Sequence, residues 1–177
     1  ALARNIDMRQ CLVGSVKDSL ITIFIRNTGS FKCRVDSIYF TGSDASAFSL
    51  VSGIPQYEIA AGATKATEFR FIPKRIGINS ATINIITQSD TLQQTIVGEG
   101  IAPALAFVNN LIDFGQVLVG KPKDTLRAVT IKNVGTAPLS IITTRHAGPN
   151  DVDFLTLAGG GNFILQPNDT ARLDLRF

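Results

Sequence analysis

Short runs in which apolar and polar residues alternate recur along the chain every 10 to 15 residues. The alternation is clearest at Ile21, Ile23 and Ile25, and again at Ala81, Ile83 and Ile85. A period of two places every second side chain on one face of a strand, as expected of a sheet with one buried face. In the first hundred residues the pattern predicts seven or so strands, within IDMRQCLV, SLITIFIR, CRVDSIYF, AFSLV, QYEIA, TEFRFIP, SATINIITQ and LQQTIVGEG.

Turn-forming residues separate these runs, in NTGS, TGSDAS, AAGAT, KRIGIN and QSD. Glycine, asparagine, aspartate and serine favour tight turns between strands. No stretch of about ten residues or more has a convincing helical period. About seven short strands in about 100 residues are typical of an immunoglobulin-like β-sandwich, so the sequence predicts an all-β fold.

The chain contains an internal repeat with an offset of 106 positions. Residues 1–71 align with residues 107–177 without a gap and share 18 identities, where chance would give roughly 4 or 5. A unit of this length has the size of a small domain, so the repeat predicts two tandem domains, residues 1–102 and 103–177. The joint GEGIAPALAF is short and contains Pro103, which predicts limited freedom between them.

Many aligned pairs keep their apolar character without being identical, and we expect these positions to be buried. They are Ile23 with Val129, Val35 with Ile141, Tyr57 with Phe163, Ile59 with Leu165, and Phe69 with Leu175. Phe71 and Phe177 are likewise expected to be buried at matching points of two superposable folds.

The second copy has no residues aligned with 72–100, which supply two strands in the first copy. It is therefore predicted to be a sandwich without its last two strands, exposing a core and a free sheet edge. Two explanations are open: the sequence is part of a longer polypeptide that completes the domain, or a strand from a neighbouring chain completes it by donor-strand addition.

Several segments resemble the ASPM/SPD-2/Hydin (ASH) type of immunoglobulin-like domain, which is related to the major sperm protein fold. They are LIDFGQVLVGKPKDTLRAVTIKNVGTAPLSI, FILQPNDTARLDLRF, FRFIPKRIGINSATINIITQ and TIVGEGIAP. The tandem arrangement is similar to that of bacterial "choice-of-anchor D" surface proteins. The first copy departs from the pattern, with Met8-Arg9 in place of Phe114-Gly115 and Phe31-Lys32 in place of Ala137-Pro138. The matching residues are structural, so the resemblance implies a fold more than an activity.

Composition excludes several classes of function. The net charge of +3 consists of +2 in residues 1–100 and +1 in residues 101–177, and Lys and Arg are scattered among acids, so no patch for nucleic-acid phosphates is expected. No apolar run approaches the roughly 18 to 20 residues of a membrane helix. ALARNIDMRQ lacks the apolar region of a signal peptide, so an exported protein would carry its signal upstream.

Candidate chemical groups are few. Cys11 and Cys33 align with Val117 and Leu139, which favours two buried thiols, with a disulfide as the alternative. His146, the sole histidine, aligns with Phe40 and is predicted to lie in an exposed loop or strand end, without the nucleophile and acid of a catalytic site.

The acidic loops and the glycine-rich segment are predicted to be structural. Asp151 and Asp153 are too few for a calcium loop, and the aligned loop offers only Asp44. Ala158 to Asn162 has no following Lys-Ser/Thr and no helix, so it is no phosphate loop. Asn168-Asp169-Thr170 fits an N-glycosylation pattern, which matters only in a secreted eukaryotic protein.

We expect a non-catalytic structural and protein-interaction module, with no catalytic, cofactor or metal site and no small-molecule substrate. Its partners would be proteins, including neighbouring copies joined by edge-strand addition, and the resemblance implies a rod at the bacterial cell surface or outside the cell. One alternative is a cytoplasmic ASH module of a cilium or centrosome. Another is an adhesin or carbohydrate-binding accessory domain, disfavoured because the chain has no Trp and only Tyr39 and Tyr57.

Overall fold

A computed structural model of the chain describes residues 5–18, 23–51, 56–109 and 111–177, with the backbone alone at residues 23 and 24. The chain divides into two compact units, unit 1 ending at Ile101 and unit 2 running from Ala102 to Phe177. Both units are built from β-strands, and the only helical elements in the described ranges are two three-residue 3-10 turns, Ala45–Ala47 and Asp151–Asp153. The all-β sandwich prediction is confirmed. Nowhere in these ranges is there a helix long and apolar enough to cross a membrane.

Each segment predicted as a strand in unit 1 contains one. The strands are β1 (Ile6–Leu12), β2 (Lys17–Asp18), β3 (Ile23–Arg26), β4 (Cys33–Thr41), β5 (Phe48–Leu50), β6 (Tyr57–Ile59), β7 (Thr64–Thr67), β8 (Phe69–Phe71), β9 (Gly77–Thr87) and β10 (Thr91–Ile101). Residues 19–22 of the predicted second segment lie outside the described residues.

Two layers enclose the core of unit 1. One layer is a five-stranded sheet of order β1-β10-β9-β4-β6, and the other consists of β2-β8-β5 and β3-β7. β1 runs parallel to β10, and the remaining pairs are antiparallel. Alternate residues of β9 point inward, and Ala81, Ile83 and Ile85 join residues from both layers in one buried cluster. Removing this apolar surface from water is the main stabilising contribution.

Unit 2 repeats only part of this plan. Its strands are β11 (Leu105–Phe107), β12 (Asp124–Asn133), β13 (Leu139–Ile141), β14 (Leu155–Ala158), β15 (Phe163–Leu165) and β16 (Thr170–Arg176). They form a four-stranded sheet of order β11-β12-β16-β14 and a two-stranded sheet of β13 and β15. The two 3-10 turns lie at aligned positions, 106 residues apart.

A buried asparagine occupies the same place in both units. The side-chain amide of Asn27 donates hydrogen bonds to the carbonyls of Phe31 (2.7 Å) and Ile59 (3.0 Å), and its Oδ1 accepts from the Gly29 N–H (2.9 Å). Asn133 makes the aligned contacts: its amide donates to the carbonyls of Ala137 and Leu165, both at 2.9 Å, and its Oδ1 accepts from the Gly135 N–H at 3.0 Å. We call each set an asparagine clip. Buried polar groups must be hydrogen-bonded. These hydrogen bonds explain why both copies have asparagine at this position.

A bidentate ion pair is also repeated. Arg70 donates to both carboxylate oxygens of Asp18, at 2.6 and 2.9 Å. Arg176 donates to Asp124 in the same way, at 2.6 and 2.7 Å. These hydrogen bonds are the largest cause of a lowered pKa for both aspartates. Each pair joins neighbouring strands of one sheet layer and is partly open to solvent.

Arg9 occupies the position of Gly115 in the second copy and adopts the same backbone conformation as that glycine. Arg9 has φ 57° and Gly115 has φ 63°, both in the left-handed region. In each unit the preceding aspartate accepts a hydrogen bond from this N–H, Asp7 from Arg9 and Asp113 from Gly115. An arginine in this conformation carries a steric cost of about 1–2 kcal/mol that glycine avoids.

The expected buried positions are confirmed in part. Val35, Ile59, Phe69, Leu165 and Leu175 are buried. Four others are only half-buried, namely Tyr57, Val129, Ile141 and Phe163, and the side chain of residue 23 lies outside the described part.

The predicted burial of Phe177 is wrong. Phe71 is fully buried, whereas Phe177 is 40% exposed. In unit 1, β10 covers the Phe71 ring so closely that a Cβ added at Gly98 would lie 2.6 Å from it. The Phe177 ring packs against Phe114 and Phe154, and no strand of unit 2 in the described ranges takes the place of β10 over it.

The two cysteines are free thiols. Cys11 is buried, and burial raises its pKa, with Lys17 acting in the opposite direction. Cys33, the first residue of β4, is half-buried rather than buried.

Candidate functional site

Unit 2 has an open face where unit 1 has β9 and β10. In unit 1, β4 pairs with β6 on one side and with β9 on the other. In the described part of unit 2 the aligned strand β13 pairs with β15 and with no other strand. Residues 142–147 and 112–118 lie outside any strand, although their unit 1 counterparts belong to β4 and β1. Strand pairing needs a neighbouring backbone, so both segments lose their regular structure where the neighbour is absent.

A groove of about 350 Å³ runs along this open face. Its lining is mostly apolar, with contributions from both sheets of unit 2: Leu105, Phe107, Val129, Ile131, Ile141, Leu173 and Leu175, with Thr143, Thr144, Arg145, His146 and Thr156 along one side. We call it the unit 2 groove. A neighbouring hollow of about 470 Å³ shares His146 and Leu175 with it and extends toward Phe114.

The core of unit 2 is divided, because the described residues of that unit have no strands in the place of β9 and β10. In unit 1 the buried apolar residues form one cluster. In unit 2 they form two small clusters, one around Phe114, Ala128 and Leu175 and the other around Ile131, Leu165 and Leu173. In unit 1 the aligned region is bridged by Ala81, Ile83, Ile85 and Ile96. The unit 2 groove is therefore an unfilled part of a core and not a pocket shaped by polar groups.

His146 lies at the side of the groove. It lies outside any strand, as predicted, but its side chain is half-buried and not exposed. Its ring packs against Phe154 at 6.2 Å, as the aligned Phe40 packs against Phe48 at 6.4 Å. Its Nε2 is 3.2 Å from Thr156 Oγ1. The histidine takes the place of a core phenylalanine, and the contact with Thr156 satisfies its polar edge.

The other candidate residues do not come together. Asp151 and Asp153 are exposed on the 3-10 turn, and no cluster of three or more His, Cys, Asp or Glu residues that could hold a metal is found in the described ranges. Asp44 instead accepts hydrogen bonds from Arg75 and from the Ser80 N–H, which lower its pKa.

The glycine-rich segment has a packing role. Gly159 has φ 79°, and a Cβ there would lie 1.9 Å from the carbonyl oxygen of Arg172. It lies just after β14, which ends at Ala158. Asn168 has φ 71° and aligns with Gly62, φ 73°, in the turn that closes the asparagine clip.

Sequence reasoning missed the strand β11. Leu105–Phe107 was assigned to the joint between domains, but it pairs antiparallel with the end of β12. Leu105 and Phe107 alternate with Ala106, a period-two signal too short to separate from a linker. β11 supplies one wall of the groove, with Phe107 60% exposed.

Comparisons with known proteins show remote structural similarity. No protein-family model matches the chain, and no curated protein matches it in sequence. The ASH/PapD-like domain 7 of human CEP192 is 16% identical, with 55% of this chain and 82% of that one covered and a TM-score of 0.37. A protein of unknown function from Porphyromonas gingivalis W83 is 12% identical, with 97% and 79% covered and a TM-score of 0.42.

The CsuC–CsuE chaperone–tip adhesion subunit pre-assembly complex, from archaic chaperone-usher Csu pili of Acinetobacter baumannii, is also similar. It is 12% identical, with 96% and 87% covered and a TM-score of 0.37. At such TM-scores the assignment of an immunoglobulin-like sandwich rests on the strand order and register of this chain itself.

Proposed function

We propose that the chain is a non-catalytic structural and protein-interaction module, in which consecutive sandwiches form part of a rod or surface assembly. The observation that carries the proposal is the open strand edge of β13 beside the apolar unit 2 groove. An unpaired edge next to exposed apolar surface is the arrangement that β-augmentation uses, with backbone hydrogen bonds supplying affinity and side-chain pockets supplying specificity.

The use of the repeated residues supports this function. The asparagine clip and the Asp–Arg pair recur with the same contacts in both units, and each contact stabilises the fold. The residues whose side chains could react or bind a metal are not repeated, among them Cys11, His146 and Asp151. Residues kept between copies therefore serve architecture, which favours a scaffold over a catalyst.

We further propose that the protein acts outside the cell or at a bacterial surface, where neighbouring copies join by edge-strand addition. The support is the resemblance of the sequence to tandem surface-protein domains, together with exposed apolar residues beside the edges: Leu105 and Phe107 on β11, and Leu155 on β14. Natural sheets usually protect edges with charge or proline, so exposed apolar edge strands indicate contact sites.

Sedimentation of the full chain over a concentration series tests this function. We expect reversible association that Thr143→Pro weakens, because proline next to β13 removes a backbone donor from the open edge. Thr143→Ala is the matched control, since it keeps the N–H. A chain that stays monomeric at all concentrations, or an equal effect of both substitutions, would contradict association through this edge.

A further inference from the structure

The five-stranded sheet of unit 1 has two edge strands, β1 and β6. An edge strand carries backbone N–H and C=O groups with which another chain can pair, and natural sheets block such pairing with bulges, short strands or charged side chains. β6 has only three residues, and its Glu58 carboxylate is paired with Lys32. β1 has seven residues, so its length does not protect it.

A bulge interrupts β1 near its middle. Met8 and Arg9 of β1 lie opposite the single residue Gly98 of β10. Arg9 and Gln10 are both exposed, which breaks the alternation of buried and exposed side chains along the strand. A bulge bends an edge strand and disrupts the regular row of backbone groups that a further strand needs for pairing.

Two charged side chains occupy backbone groups at this bulge. The Arg9 N–H donates a hydrogen bond to Oδ1 of Asp7 at 2.7 Å. The Gln10 carbonyl accepts a hydrogen bond from Nζ of Lys17, also at 2.7 Å. We call these contacts the edge caps. Hydrogen bonds to charged groups are stronger than those between neutral groups, so an incoming strand would have to displace strong contacts to pair here.

Lys17 reaches β1 from the other layer of the sandwich. It belongs to β2, where it pairs with Phe71 of β8. Its side chain is half-buried, and the ammonium at its end makes the contact with the Gln10 carbonyl. The apolar stem of a lysine can pack against the protein while its charged end reaches a polar group. The side chain therefore ties the second layer to the edge strand of the first.

The same two edge caps recur in unit 2. Asp113 accepts a hydrogen bond from the Gly115 N–H, and Lys123 donates one to the Phe114 carbonyl. The aspartate and the lysine are identical in the aligned copies. Residues 112–118 form no strand in the described part of unit 2, so the caps form without a strand ladder beside them. Both copies thus use charged side chains to occupy backbone groups of this segment.

We propose that Lys17 is a gatekeeper that closes the β1 edge of unit 1 to strand addition by another chain, together with the Arg9 bulge and the Asp7 cap. The inference goes beyond the proposed function, which concerns an edge that a partner uses, because it identifies an edge that partners cannot use. Closing this edge makes strand addition selective among the several edges that tandem sandwiches offer.

Self-association of the full chain tests the role of Lys17. Sedimentation velocity over a concentration series is measured in a Thr143→Pro background, which weakens association through the β13 edge. Lys17→Met keeps an apolar stem but removes the ammonium, and we expect it to lower the dimer dissociation constant about tenfold or more. Lys74→Met makes the same change of charge at an exposed residue and is the matched control. Lys17→Arg retains a charged donor and should associate no more than the unchanged chain.

Deletion of Arg9 removes the bulge as well. Without this residue, buried and exposed side chains alternate along β1 without interruption. Combined with Lys17→Met, the deletion should strengthen association further. Circular dichroism checks that unit 1 remains folded, and if the deletion unfolds it, the result for Lys17→Met alone decides.

Hydrogen exchange locates the new contact. In the associated Lys17→Met chain, we expect slower exchange at residues 6–12 than in the same chain diluted to the monomer. Faster exchange throughout unit 1 without association would overturn the proposal, because Lys17 would then only stabilise the fold. Association that protects other residues and leaves 6–12 unchanged would overturn it as well.

The two proposals fail in different ways. If Lys17→Met and Lys74→Met associate equally, the gatekeeper role is wrong, whatever the effect of Thr143→Pro. If Thr143→Pro does not weaken association of the otherwise unchanged chain, association through β13 is wrong, and the comparison of Lys17→Met with Lys74→Met still decides the role of Lys17.

Discussion

Unit 1 and unit 2 share a sequence pattern but differ in what surrounds it. β4 of unit 1 is nine residues long, and the aligned β13 is three. β1 has seven residues in a ladder with β10, while residues 112–118 form no strand. The clips, ion pairs and turns are nevertheless the same in both units. The comparison separates features that a segment holds by local contacts from features that need a partner strand far away in sequence.

The largest difference in the free energy of unfolding between matched substitutions in the two units is expected at the aligned phenylalanines. Phe71→Ala removes a fully buried ring and should lower the free energy of unfolding of unit 1 by about 3–5 kcal/mol. Phe177→Ala should cost about 1–2 kcal/mol, because its ring is already partly in water. Denaturant dependence of amide hydrogen exchange measures each unit separately. Phe31→Ala, at a largely exposed ring, is the control, and equal costs at the two aligned positions would contradict the structural difference.

Replacing the asparagine of either clip by alanine should lower the free energy of unfolding of its unit by a similar amount. Asn27→Ala leaves two carbonyls and one N–H without their partner, at a cost of about 2–3 kcal/mol. Asn133→Ala leaves the same groups and also the Ala104 N–H without their partner, so its cost should be at least as large. Asn150→Ala, in an exposed turn, is the matched control. The denaturant dependence of amide hydrogen exchange measures the cost in each unit. A much smaller cost in unit 2 would show that the clip depends on the layer that contains β9 and β10.

Replacing the left-handed arginine should stabilise unit 1. Arg9→Gly relieves the steric cost at φ 57° and should raise the free energy of unfolding by up to about 1 kcal/mol. Gly115→Ala should lower that of unit 2 by a similar amount. Gln10→Gly, one residue along the same strand, is the control and is expected to be destabilising. A destabilising Arg9→Gly would mean that the arginine side chain has a role beyond its backbone conformation.

The Asp–Arg pairs should produce the smallest effect, as a dependence on pH. Hydrogen bonds from Arg70 and Arg176 lower the pKa of Asp18 and Asp124 below the ordinary value of 3.8. Their contribution to stability is complete above that ordinary pKa and is lost as pH falls through the lowered one. Unfolding midpoints measured below pH 3.8 should fall less steeply in Asp18→Asn and Asp124→Asn. An unchanged slope in both variants would show that solvent screening removes the contribution.

Much of the site was predictable in kind but not in detail. Because residues 72–100 have no aligned partners in the second copy, the sequence predicts an exposed core and a free edge there; among the described residues, β13 pairs with β15 beside an apolar groove. The sequence did not predict that His146 packs against Phe154, or that Leu105–Phe107 forms a wall of the groove. Both depend on contacts between segments distant along the chain, which a local pattern of apolar and polar residues does not encode.

The amino-acid sequence by itself determined the repeat, the alternation that makes strands, the turns, and the residues that each unit uses to hold its turns and strands together. These are set by backbone preferences and by side chains a few residues apart, as in the Asn133–Gly135 contact. Only the tertiary structure decided which alternating runs became strands and which rings were buried. A strand requires hydrogen bonds from a neighbouring backbone, and a core requires a second layer. Phe71 and Phe177 therefore share a sequence context but differ in environment.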